Sequence, residues 1–355
     1  MSEQQTTTPS IEEWRKLYEL ASQVKALAPW DWMFEDEVFG VQDPETGSTG
    51  FVSVMGTAGE HLAVALYQDA GALYDFLELH DQAEDEDGGD LLSAMRVIEI
   101  PQVQASFEDN GDLEKEDKAI IKQLGLKFRG AQNWPKFRSY APGLFPWFIT
   151  NTEARRLITA LEQLLDVAPR CRENEDLLAP DEDGTVFLVR VPRVENGVTL
   201  WEDKIQKIEE PDPEPIMVPI DEESLAQAKQ LQRARADLEI EFSMMPMPTS
   251  EKKNERPFFP YMLMVADSAS GALLGAEMFQ PLPTVLDMYG RLPQTLTDLF
   301  LRLEAVPESL QLRNELAAEL LEPLAEELQF ELELTEELPA IDQAMEMMNQ
   351  MMPGF

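Results

Sequence analysis

Cysteine and histidine are nearly absent from this sequence of 355 residues, which has one cysteine, Cys171, and two histidines. A single cysteine excludes an intramolecular disulfide bond and cannot supply the ligand set of a zinc finger. A P-loop and a Gly-x-Gly-x-x-Gly motif are also missing, so the familiar nucleotide-hydrolysing and dinucleotide-dependent enzymes are not predicted. Arg170 and Arg172 flank Cys171 and would lower the pKa of its thiol, but the acidic segment that follows favours a passive thiol at the surface.

Long apolar runs and basic residues are scarce as well. No apolar stretch approaches the roughly 20 residues that a membrane-spanning helix needs. The amino terminus has neither the basic nor the apolar region of a signal peptide, so the sequence predicts a cytoplasmic protein. The 28 Lys and Arg are outnumbered by 68 Asp and Glu, which gives a net charge of −40. Because such a surface repels phosphate backbones and anionic lipids, membrane binding is not expected and nonspecific nucleic-acid binding is disfavoured.

What the sequence does contain is the composition of a folded protein long enough for two domains. We predict an α+β protein in which each domain is a mixed sheet covered by helices, with an antiparallel meander followed by alternating helices and strands. The N-terminal domain is assigned to residues 1–170. Its meander is predicted from three β-rich runs separated by turn residues, and a further strand is predicted near 95–105. The three runs are 37–42, 49–55 and 61–67.

The middle of the chain is interpreted as a boundary over residues 171–215. It contains an acidic segment, a β-hairpin turning at Asn196-Gly197, and a proline-rich linker. The C-terminal domain is assigned to residues 216–355, with an opening helix over 221–236 and then the order βββαβαβα. The first half has a similar order of elements, so an internal duplication is an open alternative.

The most informative local feature is the basic-aromatic stretch, residues 118–152, which has six Lys and Arg and no Asp or Glu. Aromatic residues alternate with the cations there. Cations attract an anionic ligand and aromatic faces stack on one, a combination that occurs in nucleotide and single-strand nucleic-acid sites. We predict an anion-accepting cleft formed by Arg129, Trp134, Lys136, Phe137, Arg138 and Tyr140. The alternative is that the aromatics belong to the core and the cations pair with the chain's own carboxylates.

Several short strings resemble a known family. They are Phe51-Val52-Ser53-Val54-Met55-Gly56 and Gly59-Glu60 in the first half, and Arg256-Pro257-Phe258-Phe259-Pro260-Tyr261 and Pro281-Leu282-Pro283 in the second. The family is an uncharacterised bacterial one made of two domains of unknown function. The resemblance extends over most of the chain and implies no activity.

The second half also resembles, in the order of its elements, the ribonuclease H-like fold. That resemblance implies acidic residues on the first strand, near the end of the fourth strand and on the closing helix, where divalent cations promote phosphodiester hydrolysis. The first strand offers Glu239 and Glu241, of which Glu241 is taken as the candidate ligand. The other matching residues are Glu315 and Asp342, although Asn314 stands where a carboxylate is expected. A metal-dependent nuclease or hydrolase is therefore one alternative function. A divalent metal is expected as a cofactor only if the protein has this alternative function.

The leading hypothesis is a binding or scaffold protein without enzymatic activity, because no catalytic motif is complete. Its partner is expected to be another protein or a small anionic ligand, and no cofactor is expected. The net charge of −40 adds a further alternative, an acidic DNA mimic or inhibitor that occupies the basic groove of a DNA-binding protein.

Overall fold

The computed structural model describes residues 8–57, 59, 61–85, 96–179, 181, 184–253 and 255–351. The chain divides into two compact units, Met1–Ala141 with Pro146–Asp212, and Pro142–Phe145 with Pro213–Phe355. The hairpin predicted within the boundary region therefore belongs to the first unit. Within the described part of the chain, no helix has both the length and the apolar character needed to cross a bilayer.

One eight-stranded mixed sheet is the framework of the first unit. The strand order is β6-β5-β4-β3-β2-β1-β7-β8. The predicted meander is confirmed, since β1, β2 and β3 pair antiparallel in sequence order, while β7 lies parallel to β1. The strands are β1 (Phe39–Gln42), β2 (Thr49–Met55), β3 (Ala63–Tyr67), β4 (Gln102–Glu108), β5 (Trp134–Ala141), β6 (Leu144–Trp147), β7 (Val186–Glu195) and β8 (Val198–Lys207).

Helices cover both faces of this sheet. They are α1 (Ile11–Leu27), α2 (Ala70–Asp85), α3 (Lys115–Leu124) and α4 (Asn151–Glu173). Helices α1 and α4 share the larger core with residues of β2, β3 and β4, and α2 packs with residues of the opposite face. Because β3 is buried along its whole length, its sequence Ala-Val-Ala-Leu-Tyr is a continuous apolar run rather than an alternating one.

The second unit contains a five-stranded mixed sheet with the order β12-β11-β10-β14-β15. Strands β10, β11 and β12 form an antiparallel meander, whereas β10, β14 and β15 are parallel to one another. The strands of the unit are β9 (Gln232–Arg233), β10 (Asp237–Met244), β11 (Tyr261–Asp267), β12 (Leu273–Phe279), β13 (Ala305–Val306), β14 (Ser309–Leu312) and β15 (Glu331–Leu334). In both units the first strand of a meander thus has a parallel neighbour on its other side.

The helices of the second unit complete the predicted order βββαβαβα. They are α5 (Glu222–Ala228), α6 (Val285–Tyr289), α7 (Leu292–Leu303), α8 (Glu315–Leu328) and α9 (Pro339–Met351). Helices α7 and α8 pack on one face of the sheet, and α9 packs against alternate residues of β11 on the other. The predicted α+β class with two mixed sheets is confirmed.

Two predicted elements differ from the structure. The strand expected near 95–105 is β4, which begins only at Gln102, and the helix expected over 221–236 ends at Ala228. After that helix, Gln232–Arg233 pair with β13, and the guanidinium of Arg233 donates to the backbone carbonyls of Leu328 and Gln329. These long-range hydrogen bonds compete with continuation of the helix, and local periodicity carries no information about them.

Candidate functional site

The predicted basic-aromatic residues are distributed between the core and the surface. Phe137 is buried, and its ring centroid lies 5.1 Å from that of Tyr18 and 5.9 Å from that of Trp14. Four members of the predicted set are at least partly exposed: Arg129, Trp134, Lys136 and Tyr140. The ammonium of Lys136 donates to the backbone carbonyl of Asp112 at 3.1 Å. Burial raises the pKa of the Tyr140 hydroxyl to about 12, so this group remains protonated and can donate a hydrogen bond.

Arg138 is buried and paired inside the first unit. Its guanidinium donates to both carboxylate oxygens of Asp117, at 3.0 and 2.7 Å, and to Glu114 at 3.1 Å, and it lies over the ring of Phe148. Burial opposes the charge, but the hydrogen bonds and attraction of the two carboxylates raise the pKa of Arg138. Arg138 and Phe137 thus have structural roles, which corrects the prediction for these two residues. Anion binding by the other four stays a prediction.

Glu241 and Asp342, two of the three acids singled out for a metal, come together around an arginine. Arg313 follows β14, and its guanidinium donates to both carboxylate oxygens of Asp342, at 2.7 and 2.8 Å, and to Glu241 at 3.3 Å. It therefore supplies a fixed positive charge where the nuclease alternative places a cation. Among the described residues, no three His, Cys, Asp or Glu side chains are grouped closely enough to hold a metal ion. The residues present do not fit that metal site.

Asn314 and Glu315 have other functions at the end of β14. The side-chain oxygen of Asn314 accepts from the amide of Ala317 at 2.9 Å and caps α8. An asparagine is a favoured cap, which explains why no carboxylate is needed at this position. Glu315 is exposed in the first turn of α8, where it lines a groove.

That groove lies between α8 and β15 and has a volume of ≈ 640 Å³. This is within the range of about 300–1,000 Å³ that is usual for ligand sites. Four glutamates line the groove together with apolar groups. The acidic residues are Glu315, Glu319, Glu322 and Glu326, and the apolar ones are Ala318, Ala325, Phe330, Leu332 and Leu334. We call this feature the acidic groove.

The spacing of the glutamates explains the charge of the acidic groove. They follow one another at intervals of four, three and four residues, so they share one face of α8. All four are exposed, and within the described part of the chain none of them takes part in an ion pair. Four uncompensated negative charges therefore lie along one side of the groove.

The other side of the acidic groove is the edge of a sheet. In the described residues, β15 pairs only with β14, so its second row of backbone N–H and C=O groups has no neighbouring strand. Leu332 and Leu334 line the groove as alternate residues of this strand, and the Leu334 side chain is 57% exposed. An edge of this kind is a template for an added strand.

Sequence reasoning identified Glu315 and missed the other three glutamates. The signal was present, because residues 315–328 have glutamates at helical spacing and no Lys or Arg. This spacing of glutamates did not indicate a binding site by itself, because a charged helix face is usually exposed to solvent. The sequence does not show that this face borders the open edge of a strand.

Comparison with protein families agrees with the two units. The profile of a domain of unknown function (DUF7309) matches residues 14–190, and that of another domain of unknown function (DUF6930) matches residues 224–349. No match to the chain is found among curated proteins. The predicted membership of a family with two domains of unknown function is confirmed.

Proposed function

We propose that this protein of two domains of unknown function is a binding protein, and that its C-terminal domain binds a basic, extended segment of a partner protein in the acidic groove. The bound segment adds a strand beside β15. One observation carries the proposal: among the described residues, a strand edge without a neighbour and four glutamates without an ion pair border the same groove of ≈ 640 Å³. Strand addition is a common mode of peptide recognition, in which main-chain hydrogen bonds give affinity and side-chain contacts give specificity.

The charge of the groove selects the class of partner. Exposed ion pairs contribute about 0.2–1 kcal/mol each, so four glutamates favour a segment with several Lys or Arg by a few kcal/mol at most. A small anionic ligand is repelled by the same four charges. Since side chains of a strand alternate between two faces, residues that face α8 can contact both Leu334 and the glutamates.

The apolar lining favours an extended segment over a purely electrostatic contact. Phe330, Leu332 and Leu334 present apolar surface beneath the glutamates. A DNA mimic requires a convex acidic stripe and has no need of an apolar surface beneath the acidic residues. The DNA-mimic alternative therefore becomes an outcome of the test below.

The test uses a fluorescent eight-residue peptide of alternating lysine and valine, measured by fluorescence anisotropy with the full chain. The double variant Glu319→Gln, Glu322→Gln is expected to weaken binding about tenfold, because it removes two of the four attractive charges. Glu327→Gln is the matched control, since Glu327 lies on the same helix but pairs with Lys229 instead of lining the groove. It should change the affinity little.

A second peptide separates strand addition from charge attraction. Methylation of alternate backbone nitrogens removes main-chain donors and keeps the lysines, so binding should be lost if the peptide pairs with β15. If the methylated peptide binds equally well and a basic DNA-binding domain competes for the site, the DNA-mimic alternative is favoured. If the glutamate variants leave the affinity unchanged, the proposed site is wrong.

A further inference from the structure

The β7–β8 hairpin of the first unit exposes apolar side chains near an open sheet edge. Within this hairpin, four apolar residues are exposed: Val194 (72%), Val198 (59%), Leu200 (44%) and Ile205 (68%). Three of them belong to β8, a strand of ten residues. Long edge strands with apolar side chains are sites of intermolecular pairing unless another chain covers them.

Strand β8 is the last strand of the eight-stranded sheet. Within the described residues it pairs with β7 and with no other strand, so one row of its backbone N–H and C=O groups faces outward. Natural edges are often protected by brevity, by proline, by a bulge or by charged side chains such as lysine. Strand β8 has only the last of these protections, in Glu202, Asp203, Lys204 and Lys207. Residues 198–207 contain no proline, and their pairing with β7 continues without interruption.

We infer that β8 pairs antiparallel with β8 of a second copy of this chain, about a twofold axis at Asp203, so that the two eight-stranded sheets become continuous. The sequence of the strand, Val-Thr-Leu-Trp-Glu-Asp-Lys-Ile-Gln-Lys, is self-complementary in this register. Glu202 lies opposite Lys204 of the second copy, and the symmetry repeats this opposite-charge pair on the other side of the axis. Trp201 similarly lies opposite Ile205 of the second copy.

The neighbouring registers are less favourable. A twofold axis perpendicular to the sheet keeps the side chains of each face on that face. One residue must therefore lie directly opposite its own copy, with the axis midway between the two, and neighbouring registers move the axis by one residue. An axis at Glu202 or at Lys204 places that residue opposite its own copy. Like charges directly opposite each other are destabilising. Neither of these registers forms the Glu202–Lys204 pair.

The axis at Asp203 also brings two identical carboxylates together, but each is neutralised within its own copy. Asp203 accepts hydrogen bonds from Arg170 on α4 and from Arg190 on β7. Two guanidinium groups of the same chain thus offset the negative charge of each Asp203 carboxylate, in the monomer as well as in the dimer. Glu202 keeps an internal contact as well, with Arg193 at 2.9 Å.

The experiment is sedimentation velocity of the full chain at concentrations from about 1 to 500 μM, at the roughly 0.15 M salt that screens distant charges beyond about 8 Å. A concentration-dependent dimer is expected. Glu202→Lys and Lys204→Glu should each raise the dissociation constant about tenfold or more, because each converts two opposite-charge pairs into like-charge pairs. The exchange of both residues, E202K with K204E, should restore association.

The matched control is Lys207→Glu, which changes the net charge by the same amount as Lys204→Glu but lies opposite the neutral Thr199 of the second copy. It should weaken the dimer much less, and circular dichroism establishes that each variant is folded. A chain that stays monomeric throughout the concentration range overturns the inference. A dimer that is equally stable in both single variants, or that the exchanged pair does not restore, overturns it as well, because association would then use another surface.

Discussion

Several polar residues at candidate functional positions form hydrogen bonds within the protein that stabilise the fold. The buried Glu239 accepts from the amides of Ala340 and Ile341 at 2.8 and 3.0 Å, at the start of α9. Arg138 is matched by Asp117, which precedes it by 21 residues. The buried guanidinium of Arg138 is tolerated only with such a partner, and removing one partner of a buried ion pair costs about 3–5 kcal/mol.

Cys171 illustrates the same point for a thiol. The sequence places it between two arginines and favours a surface position, but the side chain is buried in the larger core of the first unit. Arg170 is engaged with Asp166 and Asp203, and Arg172 lies over the ring of Trp32. The prediction of a surface thiol is therefore wrong. Burial, reinforced by Glu37, raises the pKa of the thiol from an ordinary value of 9.0 to about 11.

A prediction for a single residue is that Cys171 reacts slowly with thiol reagents. At pH 8 the folded protein should react with a disulfide reagent about 100-fold more slowly than the unfolded protein, because only the thiolate attacks and a pKa difference of about two lowers its population to that extent. The rate of absorbance change measures this. Because the folded thiol retains its proton at higher pH than the unfolded one, the free energy of unfolding should fall as the pH rises from about 9 to 11. Cys171→Ala should lack this part of the pH dependence, and equal reaction rates in the two states would contradict the prediction.

At the scale of the element, the long helices of the first unit begin at local signals. Ser10 and Glu13 form a capping box at the start of α1, and Thr150 and Glu153 form another at the start of α4. Each pair satisfies two backbone amides that have no partner within the helix. Helix α4 shares the larger core with α1 and the sheet, so its starting point affects the whole unit.

Removal of the cap of α4 should be measurable. Thr150→Ala eliminates the side-chain oxygen that accepts from Glu153 at 3.2 Å, and the free energy of unfolding should decrease by about 1 kcal/mol. Urea denaturation of the full chain provides the measurement. Thr152→Ala, two residues into the same helix, is the control and should change stability by less than about 0.5 kcal/mol. Equal effects of the two variants would exclude a capping contribution.

At the scale of the whole molecule, negative charge is in excess. The net charge is −40. Asp75 is an example of the effect on a single group. Burial raises the pKa of its carboxyl, and the neighbouring acids Glu78, Asp69 and Glu210 raise it further. A chain of this charge loses stability through repulsion between its carboxylates, and salt screens that repulsion.

The thermal stability should therefore rise with ionic strength. Between about 0.02 and 0.5 M NaCl we expect the midpoint of thermal unfolding to increase by about 5 °C, since the Debye length shortens from tens of ångströms to a few. Differential scanning calorimetry gives the midpoint, and KCl should have the same effect because the mechanism is screening. A midpoint that falls with salt would mean that attractive ion pairs outweigh the general repulsion.

Features that depend on neighbours along the chain could be predicted from the sequence. The turn between β1 and β2 is an example, since the Asp43 side chain accepts from the amides of Glu45 and Thr46, and Gly47 takes a positive φ of 76°. Turn residues between β-rich runs likewise predicted the first meander. The α+β class followed from the order of the predicted strands and helices, and the division into two halves followed from chain length and the acidic, proline-rich middle segment.

The pairing of charges and the exposure of surfaces depend on contacts between residues that are distant in the sequence. The cations of the basic-aromatic stretch are evident in the sequence, but their partners are not. Arg138 pairs with Asp117, 21 residues earlier, whereas the four groove glutamates of α8 have no ion pair among the described residues and lie beside the edge of β15. Strand order is equally hidden, because β10 and β14 become neighbours although 64 residues separate Met244 from Ser309. Pairing and burial are set by distances in space, whereas a sequence pattern specifies only the faces of each element and not the neighbours that those faces contact.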